Sequence, residues 1–210
     1  MDEQHTNTLP APREVGDRAA EILATLEADR EYERLASSTQ LYADCWATFT
    51  GYPLVARWDL DRDSAPLFDE AMRVLALKAA VYELTNGNES IAELMVSAPV
   101  DEMVHAVIAQ ATLCTRIHDR TGVDLVHMTD RERFGWDHGD YTEQCYRAAG
   151  WGDPPARYWI GKDETRRRLA LLEARYSSIG IHKGGRHHGF DFGDTDADAG
   201  DRTPAELHAG

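Results

Sequence analysis

Two side chains that can bind a metal lie four positions apart in a helix predicted near the middle of the chain. The stretch APVDEMVHAVIAQ, residues 98–110, repeats apolar residues at helical spacing and places Asp101 and His105 one turn apart. A carboxylate and an imidazole at this spacing can hold a divalent ion, as paired ligands on a helix do. The same spacing also suits a carboxylate–imidazolium pair worth a few tenths of a kcal/mol. Spacing alone leaves both interpretations open.

Two further histidines follow this pair in the sequence. His118 falls within the apolar arc of the predicted helix, where it needs a hydrogen-bond partner or a ligand, and a satisfied core histidine is the commoner outcome. His127 lies in VDLVHM, whose alternation predicts an extended piece over residues 123–128. The helical spacing thus makes Asp101 and His105 candidate ligands of a divalent metal such as zinc, and the sequence leaves the cofactor otherwise unknown.

The distance between the two predicted elements favours a structural role. A continuous helix over 99–120 would be about 30 Å long. The five residues after Gly122 span at most ~18 Å, so His127 would reach the middle of that helix and fall short of His105. Asp101 near the helix start is already favoured by the exposed N–H groups and the dipole. We therefore expect a structural role for Asp101 and His105 ahead of a metal site.

The apolar periodicity predicts a mainly α fold, with one helical domain over residues 12–178. Its centre is predicted to be an antiparallel pair of helices over 66–84 and 99–120, with Val104 and Ile108 nearly fully buried. Other helices are predicted over 12–36, 140–150 and from Asp163 to Tyr176, with a short helix in TQLYADCWATFTGYP that ends near Gly51 and one or two turns in ESIAELMV. Residues 1–11 and the Gly/His/Asp-rich stretch 179–210 contain few apolar residues and are predicted to be disordered.

The remaining patterns carry weaker indications of chemistry. His182, His187 and His188 form a short histidine tract that could bind transition metals loosely. The Cys114 thiol and His118 could suggest a nucleophile, but buried thiols are usually inert. None of the sequence signatures G-x-S-x-G, H-E-x-x-H or the dinucleotide-binding glycines is present. An enzymatic activity is therefore uncertain, and a non-enzymatic role is favoured.

Composition restricts the partners. The net charge of -15 argues against binding to a nucleic-acid backbone, which requires a basic face. No stretch approaches the ~18 apolar residues of a membrane span, and the acidic N-terminus is unlike a signal peptide. Cys45, Cys114 and Cys145 are widely spaced and odd in number. A cytoplasmic protein with reduced thiols is predicted.

Several motifs resemble the bacterial relatives of the glycine-rich domain-containing protein family. The stretch SAPVDEMVHAVI, Gly122 and LVHMTD are similar to that family's V-D-x-x-W-H helix, following glycine and second histidine-bearing element. LFDEAMRVLALKAAVY and CYRAAGW resemble flanking segments, so the likeness covers about residues 66–160. Val104 stands where the family has tryptophan, and a single His127 stands where a pair is common. The resemblance implies a fold but no assigned activity. The matching positions are Val100, Asp101, His105, Ile108, Gly122 and His127. This resemblance adds His127 to Asp101 and His105 as a candidate metal ligand.

Two functional hypotheses follow from the sequence. The first is a small acidic cytosolic helical protein whose histidine and acid cluster binds a divalent metal. The second is a non-enzymatic interaction or accessory protein, of phage or mobile-element origin, that uses its acidic surface on a protein partner. Metal analysis of the purified protein would distinguish the two.

Overall fold

The computed structural model describes residues 8–50, 59–128 and 135–177, and the short segments 181–182 and 187–188. Eight helices lie within these ranges, and the predicted mainly α fold is confirmed. The helices are α1 (Pro12–Glu27), α2 (Tyr32–Thr50), α3 (Leu60–Leu84), α4 (Glu89–Ala92), α5 (Ala98–Ile108), α6 (Ala111–Thr121), α7 (Tyr141–Ala148) and α8 (Lys162–Tyr176). No helix of the described ranges is long and apolar enough to cross a membrane.

Helix α3 is the centre of the fold. It packs against α1, α2, α4, α5 and α7. The helix is buried on all sides from Val74 to Val81, because other helices surround that stretch. The sequence predicted that the helix ending at Leu84 packs against the helix in APVDEMVHAVI. This contact, between α3 and α5, is confirmed. The largest wholly buried apolar side chains are Trp136, Trp159, Tyr146, Phe68, Ile22, Leu26, Leu35, Leu67, Met72 and Leu75.

Two predicted helix boundaries were wrong. The first helix ends at Glu27 and not near Ala36, because the chain turns at Asp29. The Asp29 carboxylate accepts the Glu31 N–H at 2.9 Å and holds the distant Arg120 guanidinium at 2.6 Å, which fixes that turn. Helix α3 begins at Leu60 and not at Pro66, because the Asp59 side chain caps it.

The predicted helix over 99–120 is broken. Helix α5 ends at Ile108, and α6 starts at Ala111 after Gln110, whose side-chain oxygen accepts the Ser38 hydroxyl at 2.6 Å. The break changes which residues face the core, so the single apolar arc predicted for the whole stretch does not hold. Val104 is fully buried as predicted, whereas Ile108 is only partly buried.

The break also explains why the prediction for His118 was wrong. The core-facing residues of α6 are Leu113 and Ile117, and His118 is exposed. Its Nδ1 atom lies 3.1 Å from the Val123 carbonyl oxygen and 3.1 Å from an Asp124 carboxylate oxygen. The imidazole is therefore satisfied at the surface and not in the core.

Local sequence signals fix α7 as predicted. The Asp140 carboxylate accepts the Glu143 N–H at 2.9 Å, and the Glu143 carboxylate reaches back to the Gly139 N–H at 2.8 Å. The helix is followed by Gly150 in the left-handed region, at φ 79°. On its other side α7 lies so close to α1 that a Cβ atom on Gly16 would be 2.6 Å from the Ala148 backbone. Glycine at position 16 is what allows these helices to pack at this distance.

The predicted tails lie mostly outside the described residues. Within the C-terminal one, β1 (Ile181–His182) pairs antiparallel with β2 (His187–His188). This ladder joins Ile181 to His188 and His182 to His187. The prediction of disorder for the rest of 1–11 and 179–210 stays a prediction.

Asp63 ties the segment before α8 to the start of α3. Its carboxylate accepts from the Arg157 guanidinium at 2.7 Å, from the Tyr158 hydroxyl at 3.0 Å and from the Asp59 N–H at 2.9 Å. The hydrogen bond from Arg157 is the main reason that the pKa of Asp63 is lowered to about 2. Since the folded-state pKa lies below the unfolded one, the resulting stability is present above about pH 4 and is lost as the pH falls towards 2.

We expect the Asp63→Asn substitution to lower the free energy of unfolding by about 2 kcal/mol at neutral pH, from a shift of nearly two pKa units. The loss should shrink towards zero near about pH 2, where Asp63 of the wild type also becomes protonated. Urea unfolding of both proteins at a series of pH values measures the difference. Asp153→Asn, at a side chain 82% exposed, is the control and should change stability by less than about 0.5 kcal/mol. An Asp63→Asn loss that does not depend on pH would contradict this account.

Candidate metal centre

Helix α5 presents Asp101 and His105 on one face, one turn apart. Ser97 precedes the helix, and its hydroxyl donates to the Tyr158 carbonyl at 2.8 Å, which holds the helix start against the segment before α8. His105 Nε2 lies 3.7 Å from Asp101 Oδ2, and both atoms are buried. Asp101 and His105 also take part in further interactions. The carboxylate is therefore not a solvated helix-start acid, since only 5% of its side chain is exposed.

The third predicted residue, His127, reaches this pair, and the prediction that it would fall short was wrong. The error came from the length assigned to the helix. His105 lies in the last turn of the 11-residue α5, and α6 carries the chain away by only about 16 Å. Residues 122–127 form no strand, but a segment of this length can span up to about 18 Å, which is enough to bring the chain back. The path length of the chain therefore no longer favours a purely structural role for Asp101 and His105.

The three side chains converge closely. One potential ligand atom from each of Asp101, His105 and His127 can be chosen so that all lie within 4.8 Å of one another. The two imidazole rings have centroids 4.7 Å apart and are tilted by 55°. The His127 ring is wholly buried, so the exposed part of that residue is its backbone. His105 keeps 17% of its side chain exposed, although its Nε2 atom is buried.

A buried ion pair lies against the His127 ring. The Lys78 ammonium, on α3, is 2.6 Å from Glu93 Oε1 and 3.0 Å from His127 Nδ1. The other Glu93 oxygen accepts the Met128 N–H at 3.0 Å. Burial raises the pKa of Glu93, but the charge and hydrogen bond of the Lys78 ammonium, together with the hydrogen bond from the Met128 N–H, outweigh it and lower that pKa to about 2. Glu93 is therefore ionised across the physiological pH range.

Sequence reasoning missed both members of this pair. A signal for Lys78 was present, because it interrupts the apolar run VLALKAAVY, and a lysine surrounded by core residues needs a partner. Glu93 carried no comparable signal, because an acid in the short stretch ESIAELMV is usually solvated.

The hypothesis of a thiol nucleophile receives no support from the geometry. Burial raises the pKa of the Cys114 thiol to about 11, so little thiolate forms at neutral pH. The Cys114 Sγ atom donates to the Val107 carbonyl at 3.4 Å. His118, the proposed base, is instead in contact with Val123 and Asp124.

Comparison of the chain with protein-family models, with curated proteins and with solved structures found no match. The resemblance to the glycine-rich domain-containing proteins stays a prediction. The site's chemistry must be argued from the side chains themselves.

Proposed function

We propose that this protein binds a divalent transition metal, zinc being the first candidate, through Asp101, His105 and His127. Two imidazoles and a carboxylate are ligands that zinc and iron commonly take in proteins. The observation that carries the proposal is the convergence of these groups within 4.8 Å, with His127 arriving from a separate element.

The spacing is close to what an ion requires. A tetrahedral zinc ion with bonds of ~2.0–2.1 Å holds its ligand atoms about 3.4 Å apart. Asp101 and His105 already have ligand atoms 3.7 Å apart. A contraction of up to about 1.4 Å by the widest pair, from 4.8 Å, would complete the set, which side-chain rotation can supply.

The unpartnered ring nitrogen of His127 also supports the proposal. The His127 Nδ1 atom is bonded to Lys78, whereas the buried Nε2 atom has no hydrogen-bond partner among the residues that the structure describes. A buried polar atom without a partner is uncommon, and the binding of an ion is one of its ordinary explanations. Nε2 is therefore the nitrogen that the site offers to a metal. Three protein ligands leave at least one coordination position for water.

Zinc titration of the untagged full-length chain tests this function. His182, His187 and His188 are first replaced by asparagine in every protein compared, so that the histidine tract cannot bind the ion. We expect one zinc per chain by calorimetry and elemental analysis. His105→Gln and His127→Gln should each weaken binding by about 100-fold or more, since even outer partners of metal ligands typically contribute 10–100-fold.

His118→Gln is the matched control, because this exposed histidine lies on the neighbouring helix and outside the cluster. It should bind zinc as the parent does. Absence of stoichiometric zinc in the parent protein, or binding that survives both ligand substitutions, would contradict the proposed function. Repeating the titration with ferrous and manganous ions establishes which ion the site prefers.

A further inference from the structure

A lysine and a glutamate are buried beside His127 at the centre of the fold. The Lys78 side chain is 0% exposed and that of Glu93 is 2% exposed. Burying two charges in this way is costly, and an apolar pair would often serve stability as well or better. The position of the pair, in contact with a proposed metal ligand, suggests that it acts on that ligand.

Both charged groups approach the same nitrogen of His127. The Lys78 ammonium lies 3.0 Å from Nδ1, and Glu93 Oε1 lies 3.7 Å from it. An ammonium has only protons to donate. While Lys78 bonds to Nδ1, that nitrogen must accept, and the proton of a neutral His127 must be on Nε2. This tautomer cannot ligate a metal through Nε2.

Metal binding needs the opposite tautomer. A metal on Nε2 takes the lone pair of that nitrogen, so the ring proton must be on Nδ1 and needs an acceptor. Glu93 is the acceptor within reach, and the Met128 N–H already holds its second oxygen in place. The proton leaves Nε2 and a proton is taken up at Nδ1 through solvent. The charges of Lys78, Glu93 and the imidazole are all unchanged by this exchange.

We infer that Lys78 and Glu93 are positioning residues that act on His127 in opposite directions: Lys78 holds the tautomer that cannot bind metal, and Glu93 accepts the proton of the tautomer that can. The effect of Lys78 and Glu93 on metal affinity rests on the proposed metal site. The position of the ring proton in the metal-free protein can be measured without any metal. Lys78 and Glu93 would together set how readily His127 accepts an ion.

The first experiment reads the tautomer directly. Two-bond proton–nitrogen correlation spectra of the ¹⁵N-labelled full chain, with His182, His187 and His188 replaced, distinguish Nδ1–H from Nε2–H in each imidazole. We expect His127 of the metal-free protein to carry its proton on Nε2, and to change to Nδ1–H when zinc is added. His127→Gln assigns the signal. An Nδ1–H tautomer in the metal-free protein would overturn the inference.

The second experiment removes the lysine. Lys78→Met keeps the length of the side chain, and in this variant Glu93 is left as the partner of Nδ1. We expect the metal-free K78M protein to hold the Nδ1–H tautomer and to bind zinc about tenfold more tightly, the lower end of the usual effect of an outer partner. In the K78M/E93Q protein the weaker amide acceptor should reduce the zinc affinity by about tenfold relative to K78M.

These readouts separate the possible failures. A pair with only a structural role would change the melting temperature of K78M but leave the His127 tautomer on Nε2–H, and that result overturns the inference. An unchanged or weaker zinc affinity in a folded K78M protein overturns it as well. If neither wild type nor the variants bind zinc, the proposed function fails. The His127 tautomers of metal-free wild type and K78M then still decide the role of Lys78.

Discussion

Replacing Glu70 with alanine is expected to lower the free energy of unfolding by about 3–5 kcal/mol, the usual result of removing one partner from a buried charged network. Glu70 lies on α3 and only 2% of the residue is exposed. Its carboxylate accepts the Trp159 indole N–H at 2.7 Å and the Tyr146 hydroxyl at 3.1 Å, and it pairs with Arg73. Alanine would leave the two buried donors without an acceptor.

The effect should be large because this carboxylate connects three parts of the fold. Tyr146 belongs to α7, Trp159 to the segment before α8, and their rings are 5.7 Å apart in an edge-to-face contact. Tyr146 and Trp159 are almost completely buried, so water cannot replace the lost bonds without opening the core.

Two variants make this prediction specific. Glu70→Gln keeps an acceptor oxygen and should lose less than Glu70→Ala. Glu83→Ala, on the same helix, breaks an ion pair with Arg18 whose side chain is 40% exposed, and should cost only about 0.2–1 kcal/mol. Guanidinium unfolding gives all three values. Equal losses for Glu70→Ala and Glu83→Ala would show that the network does not hold these elements together.

The second large effect is expected at Glu93. Glu93→Gln should lower the free energy of unfolding by about 3–5 kcal/mol, because it leaves the wholly buried Lys78 ammonium without a countercharge. The K78M/E93Q protein should recover most of this loss, since removing both charges of a buried pair is often neutral. Measuring wild type, both single variants and the double variant completes a double-mutant cycle.

The outcome of this cycle bears on why the pair is present. A double variant about as stable as wild type would mean that Lys78 and Glu93 contribute little net stability, so that their effect on His127 is the remaining reason for burying them. A loss of under about 1 kcal/mol in Glu93→Gln would instead mean that Lys78 finds other partners, which contradicts the geometry described for this pair.

The sequence by itself determined the helical class and the local signals. Apolar residues at steps of three and four predict helices because a helix repeats every 3.6 residues, and this periodicity needs no knowledge of the rest of the chain. The cap formed by Asp140 and the left-handed glycine at 150 were predictable for the same reason, since capping is a contact between near neighbours. The shared face of Asp101 and His105 also follows from helical spacing.

Only the tertiary structure decided whether these residues form a site. The break at Gln110 has no strong local signal, yet it shortens the helix that carries His105 and changes the path by which His127 returns. A helix end predicted at the wrong residue shifts the expected positions of all later residues by many ångströms, because each helical residue advances the chain by about 1.5 Å. The contacts of Lys78 with Glu93 and of Glu70 with Trp159 join residues 15 and 89 positions apart. Such contacts depend on how the helices pack, and apolar periodicity specifies which face is buried but not which polar groups meet there.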